Sequence, residues 1–341
     1  MITPALHRLK QMFPEAQIDV LIGDWSSPVL HNNPNISRVL SIPDRWLSLS
    51  KPWNFTGLMR LLIGLRSERY DGVLVFHHNI AIRAFGQAVS APVTIAYHPR
   101  CNNSHRFSLW DTHQHGVLNA ITLVTAFCRE MGIEVTQKIG DNAFKADWVV
   151  TKEESNQAWE ILAKAGVDKP PIFINPGAGS LLRVKANERQ WFPEKFASLI
   201  NKIEQQHLGP VLLGGIVSDQ TLSEKIQALS PYKIGSIVGK TNLRELAAVL
   251  SISQLLITND TGTMHIGGAV GIPLIAIFGP TGSEQKIPLG GPFEAVQSQV
   301  PCSPCYYGAF RGCLFKEYEC MKEITVERVL DSALKLLERV S

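Results

Sequence analysis

The stretch "LLITNDTGTMHIGGAVGIPLIAIFGPTG" (255–282) leaves few folds open. Two short apolar runs, each ending in glycine and hydroxyl residues, flank a segment of helical length. Runs of this kind read as strands buried on both faces, and a helix between two of them makes a parallel crossover. The same alternation fills the chain. An initial helix "TPALHRLK", with Thr3 as N-cap and Pro4 at the first helical position, leads into strands near 18–23, 38–43, 71–77 and 93–98. Helices are expected at about 55–68, 79–90 and 113–131. The pattern restarts at "PIFINPGAG" (171–179) and runs through a helix at 193–206, "PVLLGG" (210–215), a helix over about 218–229, "GSIVG" and the helix "NLRELAAVLSIS". Strands at 254–260 and 273–280 close it.

Parallel sheets flanked by helices make this an α/β chain. Its 341 residues suit two domains of ordinary size. The expected division is 1–165 for the first, 166–324 for the second and 325–341 for a closing helix, with helix 152–166 as the link. The closing helix carries Val326, Val329, Leu330, Ala333 and Leu337 on one face. Two such domains in tandem create a cleft, the commonest place for a ligand.

Composition removes several classes. The net charge of +3 lies wholly in the first 150 residues, which is too little for nucleic acid but permits an anionic substrate or membrane surface. No run approaches the ~20 apolar residues that span a bilayer, and no export signal opens the chain, so a cytoplasmic protein is expected. A Rossmann dehydrogenase is the least expected reading, because no G-x-G-x-x-G follows a first strand with an acidic residue about 20 positions later.

Three strand ends of the second half carry polar and glycine residues. The turn Asn259-Asp260-Thr261-Gly262 precedes a helix starting at about Thr263, and free N–H groups at a positive helix end suit a phosphate or diphosphate. His265 can reach the same anion. Equally, Asp260 can cap the helix, and Gly267 and Gly268 can serve close packing. The turn Asn175-Pro176-Gly177-Ala178-Gly179-Ser180 repeats this logic, followed by Lys185 and Arg189, which either neutralise an anion or are merely solvated. Gly214-Gly215 is a third such end, explained as well by packing.

Together, "NPGAG…RQWFPEKFASLI", "LLGG", "NDTGTMHIGGAVGIPLIAIFGPT" and the tail "PCSPCYYGAF…CLFKEYECMKEITVERV" resemble glycosyltransferase family 9, the heptosyltransferases of lipopolysaccharide assembly. The resemblance implies a GT-B architecture of two Rossmann-like doubly wound domains facing a central cleft, the first for the acceptor and the second for a nucleotide sugar. The implied reaction is inverting, needs no metal or other cofactor, and moves a sugar from ADP-heptose to a lipopolysaccharide core or related glycan at the inner membrane face. The closing helix would pack back toward the first domain. By analogy Thr261, Gly262 and Thr263 contact the donor diphosphate, His265 bonds a phosphate, Asp260 orients the turn or meets the sugar, Arg189 stabilises the leaving diphosphate, and Asp219 holds the nucleoside. A non-catalytic donor-binding homologue and a GT-B sugar-nucleotide epimerase are the alternative readings.

The family's proton acceptor is an Asp in a Gly-Asp turn after a strand that precedes the "TPAL" helix. This sequence begins at Met1-Ile2-Thr3 and does not contain it, and a start assigned too far downstream is the expected reason. Eight of the ten histidines lie within residues 1–150, and His77, His78 and Arg83 fall where an acceptor would be met, or are structural. The segment 106–116 reads as a mobile loop. Trp46 and Trp53 can rest on a membrane or pack beneath a loop. Cys302, Cys305, Cys313 and Cys320 are spaced C-x2-C-x7-C-x6-C. Tetrahedral zinc on four thiolates is one reading; reduced, partly buried thiols without a metal is the expected one.

Overall fold

The computed structural model describes residues 2–47, 54–77, 79–98, 107–109, 114–135, 144–179, 188–306, 313, 315 and 317–340. The chain divides into two compact units, Met1–Phe144 and Lys145–Ser341.

In the first unit, helix α1 (Thr3–Met12) leads to strands β1 (Asp19–Gly23) and β2 (Arg38–Ile42), the short helix α2 (Asp44–Leu47) and helix α3 (Asn54–Ser67). Strand β3 (Gly72–Val75), helix α4 (Ile80–Ala88), strands β4 (Val93–His98) and β5 (Phe107–Leu109) and helix α5 (Gly116–Glu130) complete it. Ile2, not Thr3, occupies the cap of α1, with no side-chain bond; Pro4 sits in the first turn, where its missing N–H costs nothing. The strands form two parallel sheets, β1–β2 and β3–β4–β5. Tyr70 ties them by donating to Asp19 Oδ2 at 2.7 Å, and Arg38 bridges Asp19 and Glu68. Beneath this link Leu62 and Leu65 of α3 pack with Leu21, Leu40 and Val73.

The segment expected as a mobile loop contains β5, which continues the sheet beside β4 in register Ala96↔Phe107. His115 at its end caps α5, its Nδ1 accepting from Val117 N–H at 3.1 Å. Trp46 is half-buried against α3, where a Cβ on Gly57 would collide with its ring, so this indole is packed under the chain. Trp53 lies outside the described residues.

The second unit runs α6 (Lys152–Lys164), β6 (Ile172–Asn175), α7 (Pro193–Gln205), β7 (Val211–Leu213), α8 (Gln220–Ala228), β8 (Gly235–Ser236) and α9 (Leu243–Ser251). It continues with β9 (Leu255–Asn259), α10 (Gly262–Val270), β10 (Leu274–Phe278), α11 (Ser283–Lys286), β11 (Phe293–Gln297), α12 (Glu319–Glu323) and α13 (Val326–Val340). All pairings are parallel, in the order β11-β10-β9-β6-β7-β8. Every residue of β6, β9 and β10 is buried, which is why these strands read as unbroken apolar runs rather than alternating ones. The chain starts in the middle of the sheet at β6, grows to β8 on one side and returns to β9 on the other. The crevice between the carboxyl ends of β6 and β9 is therefore the topological switch point, where open α/β sheets bind ligands.

The division at residues 144 and 145 corrects the one read from sequence at 165 and 166. Helix α6 belongs to the second unit because Arg244 of α9 grips Glu154 through two bonds of 2.7 Å and also holds Val149 O. Thr151 and Glu154 form a capping box at the start of the same helix. The guanidinium also stands 5.2 Å from the Trp148 ring centre. Arg244→Ala is expected to cost about 2 kcal/mol in chemical denaturation of the full chain, because a part-buried bidentate pair and its carbonyl bond are lost together.

Helix α13 is likewise no separate element. Val329, Leu330, Ala333 and Leu336 are buried in the same core as Phe196 and Ile200 of α7 and Ile275 of β10. Its apolar face is used inside the second unit.

Candidate functional site

Two glycine turns meet at the switch point, and side chains from three stretches lock them together. Asn175, the last residue of β6, donates through Nδ2 to Thr258 Oγ1 at 3.2 Å and to Thr261 Oγ1 at 3.4 Å. Asn259, the last residue of β9, returns the tie by donating to Pro176 O at 2.8 Å and Gly177 O at 3.2 Å. Its Oδ1 accepts from Trp191 N–H at 3.1 Å, fixing the chain that carries Arg189.

Arg189 is 5% exposed and spans both turns. NH2 donates to Ala178 O at 2.8 Å and Gly179 O at 3.2 Å, while NH1 donates to Asp260 O at 2.5 Å and lies 3.5 Å from Asp260 Oδ2. Both terminal nitrogens are thus committed to the turns. That differs from a guanidinium aimed at a leaving group, as expected from the sequence. Asp260 does not cap α10: the N-cap is Thr261, without a side-chain bond, and the buried Asp260 carboxylate faces Arg189 instead.

The first turn of α10 consequently presents N–H groups that no N-cap side chain satisfies, at the positive end of the helix dipole. Gly262 is exposed, and among the described residues nothing lies within 4 Å of where its Cβ would be. No packing demands glycine there, so the position suits a ligand brought close to the backbone. Gly267 and Gly268 differ: a Cβ would strike Leu256 at the first and Pro288 at the second, as the packing reading anticipates. Thr263 and His265 are half-buried in the same helix, His265 in its first turns and already engaged within the chain.

Gly179 has φ +59°, a backbone that L side chains rarely adopt. Gly177 and Gly215 both give way to Asp219, whose carboxylate would collide with a Cβ on either. Asp219 thereby joins the first turn, with its Oδ2 accepting from Ile216 N–H at 3.0 Å. Burial raises its pKa, and the Ile216 bond only partly opposes this. Gly214 packs on the Phe173 ring, so it serves the sheet and not the site. Ser180, Lys185 and His78 lie outside the described residues.

In the first unit, His77 is exposed and its Nδ1 accepts from Asn79 N–H at 2.9 Å. Arg83 is buried, with NH1 donating to Tyr97 O at 2.9 Å, which fastens α4 to β4. Each is held by its own surroundings.

The cysteine tail crosses the chain just after the carboxyl end of β10. Cys305 and Tyr306 N–H both reach Pro280 O at 2.9 Å, and Ser303 Oγ donates to Gly279 O at 2.6 Å. All four thiols are free and border one cavity. Burial and the neighbouring thiols push Cys320 up to about 11. Among the described residues, no three His, Cys, Asp or Glu side chains are drawn into a metal-ligand group.

The sequence pattern of Glycosyltransferase family 9 (heptosyltransferase) matches residues 58–317, three quarters of the chain and all three strand ends of the site. The chain belongs to glycosyltransferase family 9. It is 27% identical over 289 residues to Lipopolysaccharide heptosyltransferase 3 of Escherichia coli, covering 82% of this chain and 79% of that one. Its fold matches the family 9 glycosyl transferase of Veillonella parvula DSM 2008 with a TM-score of 0.78 at 21% identity, over 99% of this chain and 93% of that one. The Escherichia coli ADP-heptose lps heptosyltransferase II follows at a TM-score of 0.74 and 19% identity, over 99% and 95%. The fold is GT-B.

Within family 9 the motif "RQWFPEKF" has a clear structural share. Trp191 is fully buried, its Nε1 donates to Ile324 O at 3.0 Å, and its ring meets Phe196 edge-on at 5.0 Å. Lys195 donates to Ile324 O at 2.7 Å and to Lys322 O. The motif therefore bolts the chain before α13 to the sheet while Arg189, two residues upstream of Trp191, holds the two glycine turns.

Proposed function

We propose that this chain transfers heptose, with inversion and without a metal at the reacting centre, from ADP-heptose to a lipopolysaccharide core or related glycan. The supporting observation is the paired glycine turn at the switch point, where the uncapped N-terminus of α10 and the open approach at Gly262 suit a diphosphate. The names of the relatives supply the sugar and the acceptor class. Gly262 and Thr263 N–H groups meet the diphosphate, and His265 adds a hydrogen bond. Their charge stabilisation grows as the glycosidic bond breaks and the diphosphate gains charge, which is where preorganised donors lower a barrier. Arg189 acts through the turns it holds. The acceptor hydroxyl's proton is assigned to no residue of this sequence, and His77 and Arg83 belong to the unit proposed to take the acceptor. Peripheral contact with the inner membrane face is part of this proposal; among the described residues no helix is long and apolar enough to cross a membrane.

The test is incubation of the full chain with ADP-heptose and a heptose-acceptor core glycan, read by mass spectrometry of the glycan and by ADP release. The expected result is a mass gain of one heptose with stoichiometric ADP, and an anomeric configuration opposite to the donor's by NMR. Donor binding without transfer would favour a non-catalytic homologue, and sugar isomerisation without acceptor an epimerase.

Asp219 is proposed to hold the nucleoside. Asp219→Asn keeps an acceptor for Ile216 N–H, yet it is expected to raise the donor KM about tenfold, the value of one charge-assisted bond. Because the native carboxyl has a raised pKa, the folded chain binds its proton more tightly than the unfolded one. Its contribution to stability is full at low pH and declines as pH rises through the raised value. The variant is expected to lack this decline in pH-dependent denaturation.

A further inference from the structure

Helices α3 and α4 of the first unit carry an uncovered apolar strip. Both pack on the same side of the strands. Leu62 and Leu65 of α3 share a core with Phe85 and Ala88 of α4 and with Leu21, Leu40 and Val73 of β1, β2 and β3. Arg66 Nε donates to Ala88 O at 2.7 Å, which ties the two helices at their carboxyl ends. Their outer faces therefore turn to solvent on one side of this unit.

The outer face of a helix that covers a sheet is ordinarily polar. These two depart from that. On α3, Met59 is 38% exposed and Ile63, one turn further on, 64%. Beside Ile63, Gly64 is exposed, and among the described residues nothing lies within 4 Å of its Cβ position, so the isoleucine stands proud of the helix. On α4, Ile80 is 74% exposed, and Ala84, one turn on, is exposed as well. A single exposed apolar side chain needs no explanation, but four at i, i+4 spacing on two joined helices make a strip. The charges beside it are of one sign. Arg60 and Arg66 are exposed, and neither helix contains an Asp or Glu. The acids Glu68 and Asp71 lie beyond α3, and Glu68 is taken by Arg38 at 2.9 Å.

Projecting aliphatic side chains with guanidinium groups around them and no carboxylate fit the boundary between anionic headgroups and acyl chains. There the apolar groups enter while the arginines stay at headgroup level. A second copy of the chain fits poorly, because a two-fold contact would set Arg60 and Arg66 of one copy against those of the other. We propose that α3 and α4 dock the first unit on a bilayer surface rich in anionic phospholipid, with Ile63 and Ile80 entering the boundary and Arg60 meeting the headgroups. This docking rests on the peripheral membrane contact already proposed and gives that contact a surface and a lipid class. It also sets the unit proposed to take the acceptor against the layer in which a glycolipid acceptor would sit.

Co-sedimentation of the full chain with phosphatidylcholine vesicles, with and without phosphatidylglycerol, tests this. Binding is expected on the anionic vesicles, about tenfold weaker on phosphatidylcholine alone, and falling as salt is raised. Ile63→Ser combined with Ile80→Ser, and Arg60→Glu by itself, should each weaken binding about tenfold without lowering Tm or the rate of transfer to a water-soluble core glycan. Leu229→Ser, an exposed position of the second unit, should change neither binding nor rate. A fluorophore on Ile63→Cys should shift to the blue on anionic vesicles. A folded chain that leaves anionic vesicles in the supernatant overturns the proposal, as does binding undiminished in both variants. A lipid-free dimer in sedimentation velocity that the double serine variant dissolves would assign the strip to a second copy and overturn it too. A chain that binds vesicles yet transfers nothing to the soluble glycan contradicts the transferase reading and supports the docking surface.

Discussion

Replacing Arg189 with alanine is expected to lower kcat/KM for the donor by about 10²–10³ and to destabilise the second unit by about 3–5 kcal/mol. Both effects follow from one fact: the buried guanidinium bonds Ala178 and Gly179 in one turn and Asp260 in the other. Without it the turns lose their common brace, and a buried carboxylate faces an empty space. Arg189→Lys keeps the charge but has one ammonium where two forks are needed, so it is expected to recover folding more than activity. Asp260→Asn should be milder, because the carbonyl that takes the 2.5 Å bond belongs to the backbone. Steady-state kinetics beside urea denaturation separates the two effects. Wild-type kcat/KM in a folded Arg189→Ala chain would contradict the role given to this brace.

Gly262→Ala is expected to divide affinity from stability. Among the described residues no atom stands within 4 Å of the added Cβ, and alanine is preferred over glycine in a helix by up to about 1 kcal/mol. Tm should therefore hold or rise. The added methyl group occupies the approach to the first N–H groups of α10, and donor affinity should fall at least tenfold. Gly214→Ala is the opposite control: its Cβ meets the Phe173 ring, so about 1–3 kcal/mol should be lost by overpacking while the donor turns keep their ligands.

The strands and helices were legible because each announces itself locally. β9 and β10 are buried over their full length and read as apolar runs, while α9 and α13 show one apolar face. β5 was not legible, since three residues carry too little periodicity and only pairing with β4 defines them. The domain division was misplaced for a similar reason: α6 reads as a linker until Arg244, 90 residues away, is seen holding Glu154.

The site divides the same way. Glycine turns at strand ends are local, and Gly177, Gly179, Asp260 and Gly262 could be named from the chain alone. Asn259 was visible in the motif, yet its task of tying two turns depends on Pro176 and Gly177, 83 and 82 residues distant. Arg189 was identified as a cation near a diphosphate, but no spacing reveals that its bonds end on backbone carbonyls 10, 11 and 71 residues away. The packing role of Gly214 and the closeness of Asp219 to Gly177 are contacts between separate stretches and leave no trace in either by itself.

The central claim is that the paired turns at the β6–β9 crevice bind the donor's diphosphate. Isothermal titration of ADP-heptose into the full chain, run in parallel with Gly262→Ala, tests it most directly. The account predicts saturable one-to-one binding that weakens at least tenfold in the variant while Tm does not fall. No binding up to millimolar donor by a folded chain, or equal affinity in the two proteins, would contradict it.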